Sequence, residues 1–106
     1  MFYMKLNNTS PALQVTLKDA NGTPVDLTGA SVRFHMRAVG ATTAKVDAAA
    51  TLVTAASGIV KYAWTAGDTD TAGRYEAEFE VTFGDSSVET FPNRGFIPVM
   101  VGAVIA

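Results

Sequence analysis

The sequence predicts an all-β fold, an immunoglobulin-like antiparallel β-sandwich of about seven strands. Three observations carry this prediction. Apolar and polar residues alternate with a period of two, turn residues interrupt the alternation at short intervals, and no stretch has the 3.6-residue period of an amphipathic helix. A sheet with one apolar face needs a second sheet to cover it, which favours a sandwich, with a small closed barrel as the alternative. We expect residues 1–106 to form one domain.

In each predicted strand, apolar residues on one face alternate with polar residues on the other. In chain order, the residues on the apolar face are Leu13, Val15 and Leu17; Val32, Phe34 and Met36; Val60, Tyr62 and Trp64; and Tyr75, Ala77, Phe79, Val81 and Phe83. Gly and Asn supply the positive φ that tight turns require, and turns separate these runs at Asn21-Gly22, 27–29, Ser57-Gly58, 67–73 and 84–86. We therefore predict a core that contains Phe34, Tyr62, Trp64, Phe79 and Val81.

Other segments have weaker patterns. Residues 39–50 are rich in Ala and Thr and fit a loop, an edge strand or a short helical turn. Strand character resumes at 51–53 and again at 88–91. A turn at 92–95 then precedes a last strand over 96–101.

Composition argues against several classes of function. The net charge is −2 and the basic residues are scattered, whereas a nucleic-acid binder needs clustered Lys and Arg. The chain has no cysteine, which removes disulfides, thiol catalysis and thiolate metal sites. The apolar tail over 96–106 is too short to span a bilayer, and the apolar start ends at Asn7, too early for a signal peptide. We expect no nucleic-acid partner, no membrane and no cofactor.

Two stretches of the chain, 19–37 and 58–92, carry a family resemblance through three patterns. Residues 19–30 read D-x-x-G-x-P-x-x-L-x-G-A, residues 58–64 read G-x-V-x-Y-x-W, and residues 72–79 read A-G-x-Y-x-A-x-F. In this order and spacing, over roughly Leu13 to Pro92, the chain resembles the immunoglobulin-like N-terminal domain of tailed-phage baseplate upper proteins and related small phage structural proteins.

The resemblance implies a structural protein of a phage or prophage virion, an assembly module of the baseplate or tail without catalytic activity. Its implied partners are other phage structural proteins, and it would be a homo-oligomer or an assembly subunit made in the cytoplasm of the bacterial host. In larger members this domain anchors the protein in the tail. A carbohydrate-binding or adhesin-type module is the alternative, although most aromatic residues fall on predicted inner faces rather than on an exposed platform.

The segment before the longest predicted strand has the pattern of a tyrosine corner. Gly73 and Tyr75 follow an acidic turn that contains Asp70. In immunoglobulin domains the hydroxyl of such a tyrosine binds upstream backbone and holds the loop. Ala77 stands where the second cysteine of an antibody domain would lie, so packing alone must hold the core together.

Charged residues suggest candidate chemistry on two strands. The polar faces carry Glu76, Glu78 and Glu80 on one strand and Arg33, His35 and Arg37 on the other. Three carboxylates in a row fit a cation site or a catalytic pair, but alternation with aromatic residues favours a solvated outer face. If the two strands are neighbours, as strands C and F of an immunoglobulin fold are, cross-strand pairs follow. The only histidine, His35, has no cysteine or second histidine beside it, which argues against catalysis.

Two further groups are left with alternatives. Asp68 and Asp70, with neighbouring threonines, could hold calcium, but they lack the ligand spacing of an EF-hand and more often cap a loop. The apolar chain ends are either the first and last strands of the core or partly an interface. The interface candidates are Phe2, Tyr3, Phe96, Ile97, Val99 and Met100.

Overall fold

Two β-sheets packed face to face make up the fold in the computed structural model, which describes residues 1–105. The described residues contain nine strands, one 3-10 turn at Ala55–Ser57 and no α-helix. The strands are β1 (Phe2–Lys5), β2 (Leu13–Thr16), β3 (Ser31–Ala38), β4 (Val46–Ala49), β5 (Thr51–Thr54), β6 (Ile59–Tyr62), β7 (Gly73–Thr82), β8 (Val88–Phe91) and β9 (Ile97–Gly102). The predicted all-β sandwich is confirmed.

The larger sheet contains six strands, five of them in the order β1-β9-β7-β3-β4. Its sixth strand, β8, pairs with Phe79–Thr82 of β7, while β9 pairs with Gly73–Ala77, so β8 and β9 share one side of the long strand β7. The smaller sheet has the order β2-β6-β5. This arrangement is consistent with the immunoglobulin plan, in which β2, β6 and β5 would be strands B, E and D, and β3, β7 and β9 strands C, F and G.

One pair of strands departs from the antiparallel expectation. β1 lies parallel to β9, with Phe2 opposite Val99 and Lys5 opposite Gly102. Parallel neighbours need a long connection, and nearly the whole chain separates these two strands. The sequence pattern did not show their direction, because side chains alternate with the same period in parallel and antiparallel strands.

Residues 39–50, for which the sequence left three alternatives, divide into a loop and the edge strand β4. Val46 is buried and lies opposite Met36 of β3. The next strand, β5, begins at Thr51 but belongs to the smaller sheet. The chain therefore changes sheets at Ala50, whose N–H donates to the Val32 carbonyl at 2.9 Å. β1 and β4 account for the excess over the seven strands expected.

The core between the sheets is centred on Phe34, which is completely buried. Its ring stacks on Tyr62 at 4.3 Å between centroids and 11° between planes. It also meets Trp64 edge-on at 5.6 Å and Phe79 at 5.2 Å. Phe34 and Phe79 belong to the larger sheet, whereas Tyr62 is the last residue of β6 in the smaller sheet and Trp64 lies two residues beyond that strand. These aromatic contacts therefore join the two sheets, and all five residues predicted for the core, including Val81, are buried.

Gly58 lies in a crowded turn between the 3-10 segment and β6. Its φ is +70°, and an added Cβ would lie 2.8 Å from the carbonyl oxygens of both Leu17 and Val25. The Leu17 N–H donates to the Gly58 carbonyl at 2.8 Å, which holds the two backbones close together. Only glycine combines this left-handed conformation with so close an approach.

Replacing Gly58 with alanine is expected to lower the free energy of unfolding by roughly 2–4 kcal/mol, because backbone strain and steric overlap add. Gly29→Ala is the matched control: its φ is +80° but no atom lies within 4 Å of the added Cβ, so the loss should be roughly 1 kcal/mol. Urea unfolding followed by Trp64 fluorescence measures both. Equal losses would contradict the close approach at Gly58.

Candidate functional site

Charged side chains cover the outer face of the larger sheet, where β3 lies between β4 and β7. The register pairs Arg33 with Glu80, His35 with Glu78 and Arg37 with Glu76. Arg37 Nε donates to Glu76 Oε1 at 3.2 Å, and His35 Nδ1 lies 3.3 Å from Glu78 Oε2. The cross-strand pairs predicted for neighbouring strands are thus confirmed at two of the three positions.

At the third position, Arg33 turns away from β7 and binds β4. Its guanidinium lies 2.9 Å from Asp47 Oδ1 and also donates to the Asp47 carbonyl at 2.9 Å. The hydrogen bond from Arg33 to the Asp47 carboxylate lowers the pKa of that carboxyl below its usual range. The sequence did not indicate this partner, because β4 lies in the segment whose structure the pattern left open.

His35 lies between two carboxylates. Its Nε2 is 3.3 Å from Asp47 Oδ1, and its Nδ1 faces Glu78. A neutral imidazole has one N–H and can donate to only one of them, whereas an imidazolium can donate to both. The side chain is therefore placed as a link between β4 and β7 across β3.

A shallow groove of about 270 Å³ runs beside these charges. Thr42 and Phe96 are among the residues that line it, and the Arg37 guanidinium lies 5.0 Å from the Phe96 ring centroid. Each charged group that lines the groove contacts at least one oppositely charged or imidazole group of the same sheet. Among residues 1–105, no group of three His, Cys, Asp or Glu side chains could hold a metal ion.

The turn before β7 is held by the residues expected of a tyrosine corner. The Tyr75 hydroxyl donates to the Thr71 carbonyl at 2.6 Å, and Gly73 has a φ of +146°, which favours glycine. Asp70 binds the Lys45 ammonium at 2.6 Å. That contact lowers the pKa of Asp70 and raises the pKa of Lys45. Tyr75 and Lys45 therefore tie the turn to the larger sheet.

A second tyrosine holds the same turn from the smaller sheet. The Tyr62 hydroxyl donates to Asp68 Oδ2 at 2.6 Å, and the same oxygen accepts the Thr65 N–H at 2.9 Å. The predicted loop-capping role of Asp68 is confirmed. Its carboxylate binds Tyr62 and Thr65, whereas that of Asp70 binds Lys45. Burial, together with the bond to Asp68, raises the pKa of Tyr62 to about 12.

The turn also binds the segment that follows β1, a contact that sequence reasoning missed. Thr69 is 1% exposed, its hydroxyl donates to the Asn8 carbonyl at 2.7 Å, and its own carbonyl accepts the Asn7 N–H at 2.8 Å. The partners are about 60 residues apart in the chain, so no local pattern could have indicated the pairing.

The apolar chain ends divide between core and surface. Val99, proposed as an interface residue, is 1% exposed within the core and cannot meet a partner. Phe2 is half-buried against Trp64, with 6.1 Å between ring centroids. Ile97 and Met100 are also half-buried, while Tyr3 is 69% and Phe96 42% exposed. Tyr3 lies opposite Met100 on the outer face.

Tyr62 is expected to ionise near pH 12, measured as the difference in tyrosinate absorbance between the wild type and Tyr62→Phe. Because the folded pKa lies above the unfolded value near 10, its contribution to stability is complete below pH 10 and is lost as pH rises from 10 to about 12. Asp68→Asn should lower this midpoint only partly, since burial is the larger cause. A difference transition centred near pH 10 would show that Tyr62 is not held in this environment.

Comparison with known proteins assigns the chain to a family. The model of the BppU N-terminal domain matches residues 4–96, a range that includes the charged face, both tyrosines and the turn between them. The search of the curated proteins and the search of the solved structures each gave no significant match. No helix in residues 1–105 is long and apolar enough to cross a membrane. The chain belongs to the family of BppU N-terminal domains, the N-terminal domains of phage baseplate upper proteins.

Proposed function

We propose that this chain is an assembly module of the baseplate or tail of a phage or prophage, without catalytic activity, which binds other structural proteins of the virion. The observation that carries the proposal is the family match over residues 4–96. On this proposal the protein is made in the cytoplasm of the bacterial host and ends as a component of the virion.

The outer face of the larger sheet supports a structural role. Arg37 binds Glu76, Arg33 binds Asp47, and His35 lies between two carboxylates. General acid–base catalysis needs a group within hydrogen-bond reach of a substrate proton, whereas these groups are directed at one another. The pairs hold β4, β3 and β7 in register, which suits a rigid building block.

Exposed apolar side chains supply the surface for contacts with partners. The larger ones are Met1, Tyr3, Val39, Val53, Val88, Phe96, Val104 and Ile105. Single exposed apolar residues are ordinary on a protein surface, whereas contiguous apolar patches are typical of interfaces. Tyr3 and Met100 are neighbours across β1 and β9, which makes the β1 side of the sheet the best-supported contact region.

One observation favours the alternative of a carbohydrate-binding module. The partly exposed ring of Phe96 lines a groove together with charged side chains, and saccharide sites combine aromatic rings with a few polar groups. The Arg37 guanidinium already lies over this ring, and Tyr62, Trp64 and Phe34 are buried. We therefore keep assembly as the leading function.

The proposal predicts that antibodies against this chain label the baseplate end of the tail in purified particles of the phage that encodes it. Particles from a strain with the gene deleted are the control, and the gene supplied in trans should restore the labelling. If intact and disrupted wild-type particles both lack the chain, the assembly role is wrong. Specific binding of the isolated chain to a glycan array, abolished by Phe96→Ala, would instead establish the carbohydrate-binding alternative.

A further inference from the structure

β1 is the outermost strand of the larger sheet, and one of its edges is open. The strand pairs with β9 on one side only. Its four residues, Phe-Tyr-Met-Lys, include no proline and a single charge, at Lys5. Natural sheets protect their edges with charges, prolines, bulges or covering segments, so β1 is a weakly protected template for another strand.

The hydrogen-bond pattern shows which backbone groups of β1 face outward. Lys5 lies opposite Gly102, and the Leu6 N–H donates to the Gly102 carbonyl at 2.8 Å. Bonds in a parallel ladder are evenly spaced and involve alternate residues of a strand, so Phe2, Met4 and Leu6 bond to β9. The N–H and C=O of Tyr3, and the N–H of Lys5, lie in the plane of the sheet and point outward from its open edge.

A concavity borders β1 on the outer face of the sheet, where the strand meets β9. This concavity, of about 250 Å³, is lined by Tyr3, Lys5 and Met100 on the sheet and by Ser10 and Pro11 of the following loop. Tyr3 itself is 69% exposed. The loop therefore runs near β1 without covering its outward side chains.

From this geometry we infer that β1 binds β1 of a second copy of this chain, antiparallel across a two-fold axis at Tyr3, so that two six-stranded sheets become one continuous sheet. The N–H of each Tyr3 donates to the carbonyl of Tyr3 in the other copy. The same patch serves on both subunits, as two-fold symmetry requires. This goes beyond the proposed assembly role, since a baseplate subunit can work without ever contacting a second copy of itself.

Repulsion between lysine side chains favours the register centred on Tyr3 over the one centred on Met4. Pairing centred on Tyr3 places the two Lys5 side chains four residues apart, about 14 Å along the strands and beyond the Debye length of about 8 Å at physiological salt. Pairing centred on Met4 would place them about 7 Å apart. It would also use the Lys5 carbonyl, which already accepts the Asn8 N–H at 3.0 Å. The Tyr3 register avoids both costs.

The outer face is also continuous across the proposed axis. Tyr3 and Met100 lie opposite each other on β1 and β9, so pairing gives a stripe of Met100, Tyr3, Tyr3 and Met100 across the two copies. Directly opposed aromatic residues are favourable neighbours in an antiparallel pair. Pairing thus places the exposed Tyr3 ring beside the same ring of the other copy.

The test is the molar mass of the full chain by sedimentation equilibrium over roughly 1–500 μM, the range suited to a small interface. The wild type should approach twice its 11.1 kDa as concentration rises. Tyr3→Pro removes an outward N–H without touching the β9 ladder, and edge strands tolerate proline there. It should raise the dimer dissociation constant about tenfold or more, because two hydrogen bonds are lost per dimer.

Two further variants keep the result interpretable. Tyr3→Lys retains the backbone but places two charges opposite each other, and it should also give a monomer. Val88→Lys, at a 59% exposed position of β8 in the same sheet, should dimerise like the wild type. A wild type that stays monomeric, a dimer unaffected by both Tyr3 variants, or a dimer lost in Val88→Lys would each overturn the inference. None of these outcomes bears on the antibody labelling of phage particles.

Discussion

The stack of Phe34 on Tyr62 is the contact on which the rest of the structure depends. The two rings come from different sheets and lie 4.3 Å apart, nearly parallel. The chain has no cysteine, so the link between sheets that a disulfide supplies in antibody domains must come from packing. Stacked aromatic pairs contribute about 0.5–1.5 kcal/mol beyond the area they bury. Trp64 and Phe79 surround the pair and extend it through the core.

Tyr62 also connects the core to a surface loop. Its hydroxyl binds Asp68, and Tyr75 binds Thr71 in the same turn. Two tyrosines, one from each sheet, therefore hold one loop, and Thr69 in that loop binds the segment after β1. These contacts hold the segment that follows β1, while pairing with β9 holds β1 itself at the edge of the larger sheet. That strand pairs on one side only, and its second edge is the basis of the proposed self-association.

Much of this fold could be predicted from local patterns. Period-two alternation identified the strands that contain Phe34, Tyr62 and Phe79, and neighbouring charged strands indicated the pair between Arg37 and Glu76. Contacts between distant segments could not be predicted. Lys45 binds Asp70 across 25 positions in the chain, and a polar residue beside a turn looks the same in sequence whether or not a distant partner binds it.

The apolar chain ends are a second case in which the sequence could not show which distant segment is the partner. Their composition was compatible with burial and with an interface, and the structure divides them residue by residue: Val99 is buried, while Tyr3 is exposed. Adjacent positions of a strand point to opposite faces, but which face is covered depends on the partner strand. For β1 that partner is β9, at the other end of the chain. Only the folded pairing reveals it.

The most direct test of this account is a double-mutant cycle on Phe34 and Tyr62, with each changed to leucine alone and together. If the stack joins the sheets, the losses in free energy of unfolding should be non-additive, with a coupling of about 1 kcal/mol. The hydrogen bond to Asp68 is lost equally on both sides of the cycle and cancels. Losses that simply add, measured by urea unfolding, would show that the two rings do not hold the sheets together.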